Sequence, residues 1–210
     1  MTAHAESLEE LVAPGRCAVL VMELQRGVVG DLASMPALAK AVQEAGVIAA
    51  TARVLAAARA AGVRVIHCHA AFRADRAGTP RNVPLVNVLL RNPRHMLVGE
   101  PSTESVPELG PDPRDLVSRR FHGMSPFAAT ELDAFLRAEG ASCVIAAGVS
   151  LNVGIIGLTI EAVNHGYHVV VPRDCVAGYP AEYGEAVLAN TLSRLAHFTT
   201  SEELAARWSR

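Results

Sequence analysis

The sequence has almost no lysine, few aromatic residues and no large excess of either charge. Its 210 residues include 19 lysines and arginines and 21 aspartates and glutamates, a formal net charge of −2. This balance argues against nucleic-acid or membrane-surface binding driven by bulk charge. Lys40 is the only lysine, so any mechanism that needs a lysine must use it. No apolar run approaches the roughly 18 residues that cross a bilayer, so no membrane partner is expected.

Disulfide and secretion signals are also missing. Four cysteines, Cys17, Cys68, Cys143 and Cys175, lie far apart, and no Cys-X-X-Cys pair occurs. The segment Met1–Glu10 is polar and acidic, unlike a secretory signal peptide. The expectation is a cytoplasmic protein with reduced thiols.

Hydrophobic residues make up 50% of the chain and charged residues 19%, which indicates a folded protein with a full core. The length suits one domain, residues 1–210. Short apolar runs alternate with longer amphipathic ones, which predicts a Rossmann-like α/β sandwich of three layers with a mostly parallel, six-stranded sheet. The predicted strands are Cys17–Met22, Val63–His69, Leu116–Arg119, Cys143–Ala147, Tyr167–Val171 and His197–Thr199.

Helices are predicted between these strands. One Ala-rich helix should run from Pro36 to Ala61, and others from Ser125 to Ala138, from the fourth strand to about His165, from Ala181 to Leu195, and from Ser201 onward. The segment Ala70–Pro113 is irregular apart from one possible helix near Val83–Leu90, so it is expected to carry function or a subunit contact. Ligands of such sheets bind at the carboxyl ends of the strands.

Several short motifs occur in order along the chain. They are VLVMELQ (19–25), FAATEL (127–132), AAGVSLNVG (146–154), EA (161–162), GY (166–167) and Asp174. Together they resemble the isochorismatase-like hydrolases, or cysteine hydrolase superfamily, over roughly residues 15–201. That superfamily includes nicotinamidases and N-carbamoylsarcosine amidohydrolases. The resemblance implies the fold given above and a cis peptide between Val149 and Ser150.

The catalytic positions of that family depart from its pattern here. The family uses an Asp after the first strand, a Lys after the third and a Cys at a helix start after the fourth. By the resemblance these positions hold Glu23, Phe121 (six residues before Phe127, with Arg120 beside it) and Gly154. True isochorismatases also carry Gly at the third position and cleave a vinyl ether by protonation, but they keep the Asp and the Lys.

Three residues are candidates for catalysis, each with a structural alternative. Glu23 is a candidate general acid or base, or an acid paired with Arg26 or Arg73 for structure. His122 is a candidate proton donor or acceptor, or a loop histidine bonded to backbone. Arg120 could replace the charge of the missing lysine or point to solvent.

Other residues at the strand ends are candidates for substrate binding. The backbone around Val149, Ser150, Asn152 and Gly154 is expected, by resemblance, to hold an oxyanion. The remaining candidates are Gln25, His69, Arg73 and Phe121. His67 and His69 have a spacing that can ligate zinc, but the family's DxHxxxH pattern is absent, so no metal and no cofactor is expected.

Two functions from different classes follow. The first is a divergent hydrolase that acts on a small polar metabolite by cysteine-independent acid–base chemistry. The second is an inactive pseudoenzyme that binds a small molecule or a partner subunit, which a pocket filled by Phe121 would favour. A third, thiol chemistry at an unexpected cysteine, is weaker. A homodimer or homotetramer is expected.

Overall fold

The computed structural model, which describes residues 6–209, contains a six-stranded sheet in the order β3-β2-β1-β4-β5-β6. Every neighbouring pair is parallel, and Leu20 at the centre lies opposite Ile66 on one side and Ala146 on the other. This architecture confirms the predicted fold class. The strands are β1 Cys17–Met22, β2 Arg64–Ala70, β3 Leu116–Arg120, β4 Cys143–Gly148, β5 His168–Pro172 and β6 His197–Thr199.

Helices cover both faces of the sheet, which is why β1 is apolar throughout. Val19 and Val21 face one core, while Leu20 and Met22 face the other, and all four are buried. Residues of α2, α3 and α8 complete the first core, and residues of α5, α6 and α7 complete the second. The helices are α1 Leu8–Leu11, α2 Pro36–Glu44, α3 Val47–Ala60, α4 Pro84–Leu89, α5 Leu132–Ala138, α6 Ile156–Asn164, α7 Ala181–Asn190 and α8 Ser201–Trp208.

Three predicted helices were wrong in extent. The Ala-rich stretch is two helices bent by 63°, because Gly46 between them has a φ of +66°. The helix predicted from Ser125 starts at Leu132, since Thr130 Oγ1 accepts the Leu132 N–H at 3.3 Å and holds a turn instead. Helix α7 ends at Asn190, and a short 3₁₀ turn follows it.

The ends of β1 and β4 approach each other closely. A Cβ at Gly148, whose φ is +112°, would lie 2.0 Å from the carbonyl oxygen of Met22, so only glycine fits there. The next peptide bond, Val149–Ser150, is cis, as the resemblance implied. A π-helical turn, Leu151–Ile155, then leads into α6. The backbone after β4 is thereby folded against the end of β1.

The segment between β2 and β3 covers the carboxyl ends of the strands. Within this segment a loop is closed where the Phe72 N–H donates to Met96 O at 2.8 Å and the Val98 N–H donates to Phe72 O at 2.9 Å. Helix α4 lies between these points. No single helix in residues 6–209 is long and apolar enough to span a membrane, although the bent pair α2–α3 together reaches that length.

Candidate active site

A cavity of about 90 Å³ lies under this covering segment, at the carboxyl ends of β1 and β3. Glu23 and Arg120 line it from the strand ends, and Ser150, Val153 and Gly154 line it from the turn after β4. Phe121 to Met124 form part of the wall. The covering segment and α2 contribute mostly apolar side chains, among them Met35, Leu38, Phe72, Leu89 and Met96. The cavity is therefore mostly apolar, with one charged pair, two histidines and two serines in its lining.

Glu23 and Arg120 form an ion pair inside the cavity, in which Arg120 Nη2 donates to Glu23 Oε1. The side chain of Arg120 is 8% exposed and that of Glu23 is 17% exposed. Glu23 has a φ of +51°, a conformation that costs a non-glycine residue on the order of 1 kcal/mol or more. Its backbone N–H donates to Cys68 O at 3.1 Å. The strained residue at the end of β1 thus directs its carboxylate toward the arginine at the end of β3.

The charged position on β3 belongs to Arg120 rather than to Phe121. Arg120 is the last residue of the strand, and its Nε donates to Gly123 O at 3.2 Å. Phe121 lines the cavity wall but is 37% exposed, so it does not fill the cavity. One nitrogen, Arg120 Nη1, is buried without a hydrogen-bond partner among the described residues.

Gly154 leaves no room for a side chain. A Cβ there would lie 2.8 Å from Val149 O and 3.2 Å from Met22 Cε, and the first of these contacts is closer than real Cβ atoms allow. The backbone therefore packs against the position where the family's cysteine would project. Introducing a thiol at Gly154 would require the turn after β4 to move.

The four cysteines lie outside the cavity lining and are buried. Burial raises the pKa of the Cys17 and Cys68 thiols to about 12 and also raises the pKa of Cys143 and Cys175. Their thiolates are thus disfavoured at neutral pH.

Two histidines line the cavity in different environments. His122 is exposed at the wall beside Phe121. His95 is buried, and burial together with the nearby Arg76 lowers its pKa to about 4. Its ring lies 5.7 Å from the ring of Phe72. His95 is therefore neutral at pH 7, and sequence reasoning missed it because the segment around it has no recognisable motif.

Gln25 and Arg73, predicted to bind substrate, lie away from the cavity lining. Gln25 is fully buried, and its amide bonds to the Ala70 backbone at 2.9 and 2.8 Å and to Thr103 O at 2.8 Å. It joins β1, β2 and the covering segment. Arg73 is exposed and pairs with Asp75 through bonds of 2.9 and 2.7 Å.

Two predicted residues of the turn after β4 also lie outside the lining. The Val149 N–H donates to Met22 O at 2.9 Å. Asn152 lies against Gly178, where a Cβ would come 3.0 Å from Asn152 Oδ1. Of the residues predicted at this turn, Ser150 and Gly154 line the cavity.

His69 belongs to a separate cleft of about 420 Å³ on the other side of β2. There Ser105 Oγ lies 2.8 Å from His69 Nε2 and 3.0 Å from His67 Nδ1. His67 Nε2 in turn lies 3.1 Å from Asp115, which also pairs with Arg59. Burial lowers the pKa of His67, and it lowers the pKa of His69 to about 3.

This arrangement satisfies both histidines with hydrogen bonds inside the protein. Within residues 6–209, no group of three or more His, Cys, Asp or Glu residues is arranged to hold a metal ion. The spacing of His67 and His69 thus corresponds to a hydrogen-bonded network in this structure.

Comparisons with known proteins agree on one family. The isochorismatase domain model matches residues 17–203. Maleamate amidohydrolase of Pseudomonas putida is 28% identical over 165 residues, which are 75% of this chain and 74% of that protein. A cysteine hydrolase from Pseudomonas syringae pv. phaseolicola superposes with a TM-score of 0.79 at 25% identity, covering 100% of this chain and 99% of the other. An isochorismatase family protein from Burkholderia thailandensis gives 0.76 at 26% identity, covering 93% and 97%.

Proposed function

The chain belongs to the isochorismatase family, and from that premise we propose that it hydrolyses a small polar metabolite by acid–base chemistry without a cysteine. The observation that carries the proposal is the Glu23–Arg120 pair inside a mostly apolar cavity. A carboxyl group shielded from water and held in one orientation is suited to proton transfer. The steric contacts at Gly154 and the burial of all four thiols support a route that uses no thiol nucleophile.

Glu23 is the proposed general acid and base. Its protonated form donates the proton to the leaving heteroatom of the substrate as the bond to carbon breaks. Its carboxylate then accepts a proton from the attacking water, so that one water is consumed and Glu23 returns to its initial state. Arg120 is the proposed positioning residue for this carboxyl group, and His122 the proposed second proton carrier at the wall.

The backbone of residues 148–154 is the proposed holder of the substrate's developing negative charge. Ser150 and Gly154 from this turn line the same cavity as Glu23. Backbone N–H groups that stabilise an oxyanion typically contribute a factor of about 10²–10³ to the rate.

A binding protein without catalysis is the second candidate, and one observation favours it. The charge of the Glu23 carboxylate is balanced by Arg120, as in an ion pair with a purely structural role. In that case the cavity retains a ligand or a subunit contact but transfers no proton.

The test is a panel of small amides and vinyl ethers, isochorismate included, incubated with the purified protein, with Glu23→Ala and with iodoacetamide-treated protein. Turnover that survives alkylation and disappears in Glu23→Ala is the expected result. No turnover of any compound in the panel, or equal rates for the parent and for Glu23→Ala, favours a binding protein without catalysis. Activity abolished by alkylation alone contradicts the cysteine-free route.

A further inference from the structure

We propose that the cavity takes a small monocarboxylate, whose carboxylate accepts hydrogen bonds from Arg120 Nη1 so that one guanidinium bridges it and Glu23. This deepens the proposed function by naming the substrate class, and it rests on the same cavity. The proposal rests on Arg120 Nη1, a donor without a hydrogen-bond partner in residues 6–209.

Arg120 has two of its three nitrogens engaged. Nη2 donates to Glu23 and Nε donates to Gly123 O at 3.2 Å, which fixes the plane of the guanidinium. Nη1 is buried and has no partner in the described part of the chain. A buried charged donor left unpaired is unfavourable, and an acceptor brought by a ligand would remove that cost. Arg120 lines the cavity, so an acceptor on a ligand bound there is the proposed partner of Nη1.

The charges of Glu23 and Arg120 cancel, so an anionic acceptor is expected to enter the cavity together with a proton. Glu23 and Arg120 are the formally charged side chains among its described lining residues, and His95 is held neutral by its lowered pKa. A planar carboxylate matches the geometry of a guanidinium better than a single neutral oxygen does. The remaining wall is mostly apolar and the volume is about 90 Å³, so the body of the acid must be short and carry little polarity.

A bound carboxylate would change the protonation of Glu23. Two carboxylates that share one guanidinium repel each other, and the repulsion is relieved when one of them takes up a proton. The groups that face Glu23 are Arg120 on β3, Cys68 on β2, and His95 and His122 at the cavity wall. Cys68 and His95 are neutral at pH 7. The negative charge of the substrate is therefore what would favour protonation of Glu23, and Glu23 later donates this proton.

The experiment is calorimetric titration at pH 6 with butyrate and with butyramide, its uncharged counterpart of similar shape. Each titration is run in two buffers of different ionisation enthalpy, which reports net proton uptake. The variants are Glu23→Gln, Arg120→Gln and Arg120→Lys, and the matched control is Arg119→Gln, whose side chain is exposed in the neighbouring cleft. Circular dichroism checks that each variant is folded.

The expected result is that butyrate binds at least about tenfold more tightly than butyramide. That preference should disappear in Arg120→Gln and remain in Arg119→Gln. Arg120→Lys, which keeps a charge for Glu23 but has no second planar arm, should also lose the preference, so the test stands even if Arg120→Gln fails to fold. Proton uptake should accompany butyrate binding and vanish in Glu23→Gln.

Three results overturn the inference: butyramide binding as tightly as butyrate, a preference that survives in Arg120→Lys, or binding without proton uptake. Binding is read without turnover, so the two proposals fail separately. Butyrate bound with proton uptake to a chain that hydrolyses nothing supports the monocarboxylate site and contradicts the hydrolase. Hydrolysis of neutral amides without any butyrate binding supports the hydrolase and contradicts the monocarboxylate site.

Discussion

Glu23 and Arg120 hold opposite charges where the surrounding side chains exclude most water. Such a pair is tolerated because each charge is the other's partner, and removing one leaves a buried charge alone. The strained φ of Glu23 and the bond from Arg120 to Gly123 O both restrict where the pair can lie. At the scale of single residues the site is thus rigid before any ligand enters.

Arg120→Gln is expected to lower the free energy of unfolding by about 3 kcal/mol, because the Glu23 carboxylate loses its buried partner. Arg119→Gln, one residue away but exposed, should change it by less than about 0.5 kcal/mol. Urea unfolding followed by circular dichroism measures both. Equal stability of the two variants would mean that the pair contributes nothing to folding.

Gly154→Ala is expected to be destabilising by more than about 1 kcal/mol, because its Cβ would lie 2.8 Å from Val149 O. Gly157→Ala is the matched control, since its Cβ would meet Ser125 Cβ at 3.7 Å, an ordinary contact. That variant should be neutral or stabilising, because alanine favours the helix. Thermal unfolding of both proteins is the measurement, and a Gly154→Ala protein as stable as Gly157→Ala would refute the steric argument.

At the scale of elements, the sheet could be predicted because every strand carries a strong local signal. β1 is apolar at each position since both faces are buried, and the motif around Gly148 locates the turn after β4. The helix breaks were harder, because Gly46 within an Ala-rich run gives a weak signal. In the long segment before β3, helix α4 lies where a helix near Val83–Leu90 was predicted. The path of the rest could not be predicted, because it depends on contacts such as Phe72 with Met96, which are distant in sequence.

The candidate site was predicted unevenly for the same reason. Glu23, Ser150 and Gly154 follow from the strand ends and from the family motifs. Arg120 and Phe121 were both predicted at the site, and both line the cavity, where Arg120 pairs with Glu23. His95 and the partnership of Ser105 with His67 and His69 arise from tertiary packing, for which the sequence carries no periodic signal.

The buried histidines should make stability depend on pH. The pKa values of His69 and His95 are lowered to about 3 and 4, so between these values and about 6.5 the unfolded chain binds more protons than the folded one. The free energy of unfolding should therefore fall as pH drops below 6.5, by up to about 1.4 kcal/mol per pH unit for each histidine. Carboxylates with lowered pKa values, such as Asp75, act only below about pH 4.

Unfolding free energies measured from pH 7 to pH 5 test this dependence. His69→Gln should give a shallower slope than the parent, while His197→Gln, at an exposed position, should leave the slope unchanged. A slope that is flat in the parent, or the same in His69→Gln, would show that the buried histidines titrate normally.

At the scale of the whole molecule, apolar side chains remain exposed around the covering segment. Leu85, Val88, Val98 and Phe121 are between 37% and 53% exposed. These side chains lie in or next to the segments that close the cavity. A partner subunit packed on them would therefore also restrict access to the cavity. Exposed apolar patches are typical of subunit contacts.

The homo-oligomer predicted from the sequence can be tested by light scattering coupled to gel filtration. The mass of one chain is 22.1 kDa, and a homodimer or homotetramer is expected. Val88→Asp on the exposed face of α4 should shift the distribution toward the monomer. A monomeric parent protein at micromolar concentration would contradict the prediction.

In the proposed mechanism, the Glu23 carboxyl group performs the proton transfers of a hydrolase that uses no thiol. The most direct measurement is kcat on the best substrate of the amide and vinyl ether panel for the parent, Glu23→Gln and Glu108→Gln, the last an exposed control. We expect kcat to fall by about 10²-fold or more in Glu23→Gln and to stay unchanged in Glu108→Gln. A Glu23→Gln protein as fast as its parent would contradict the proposed mechanism.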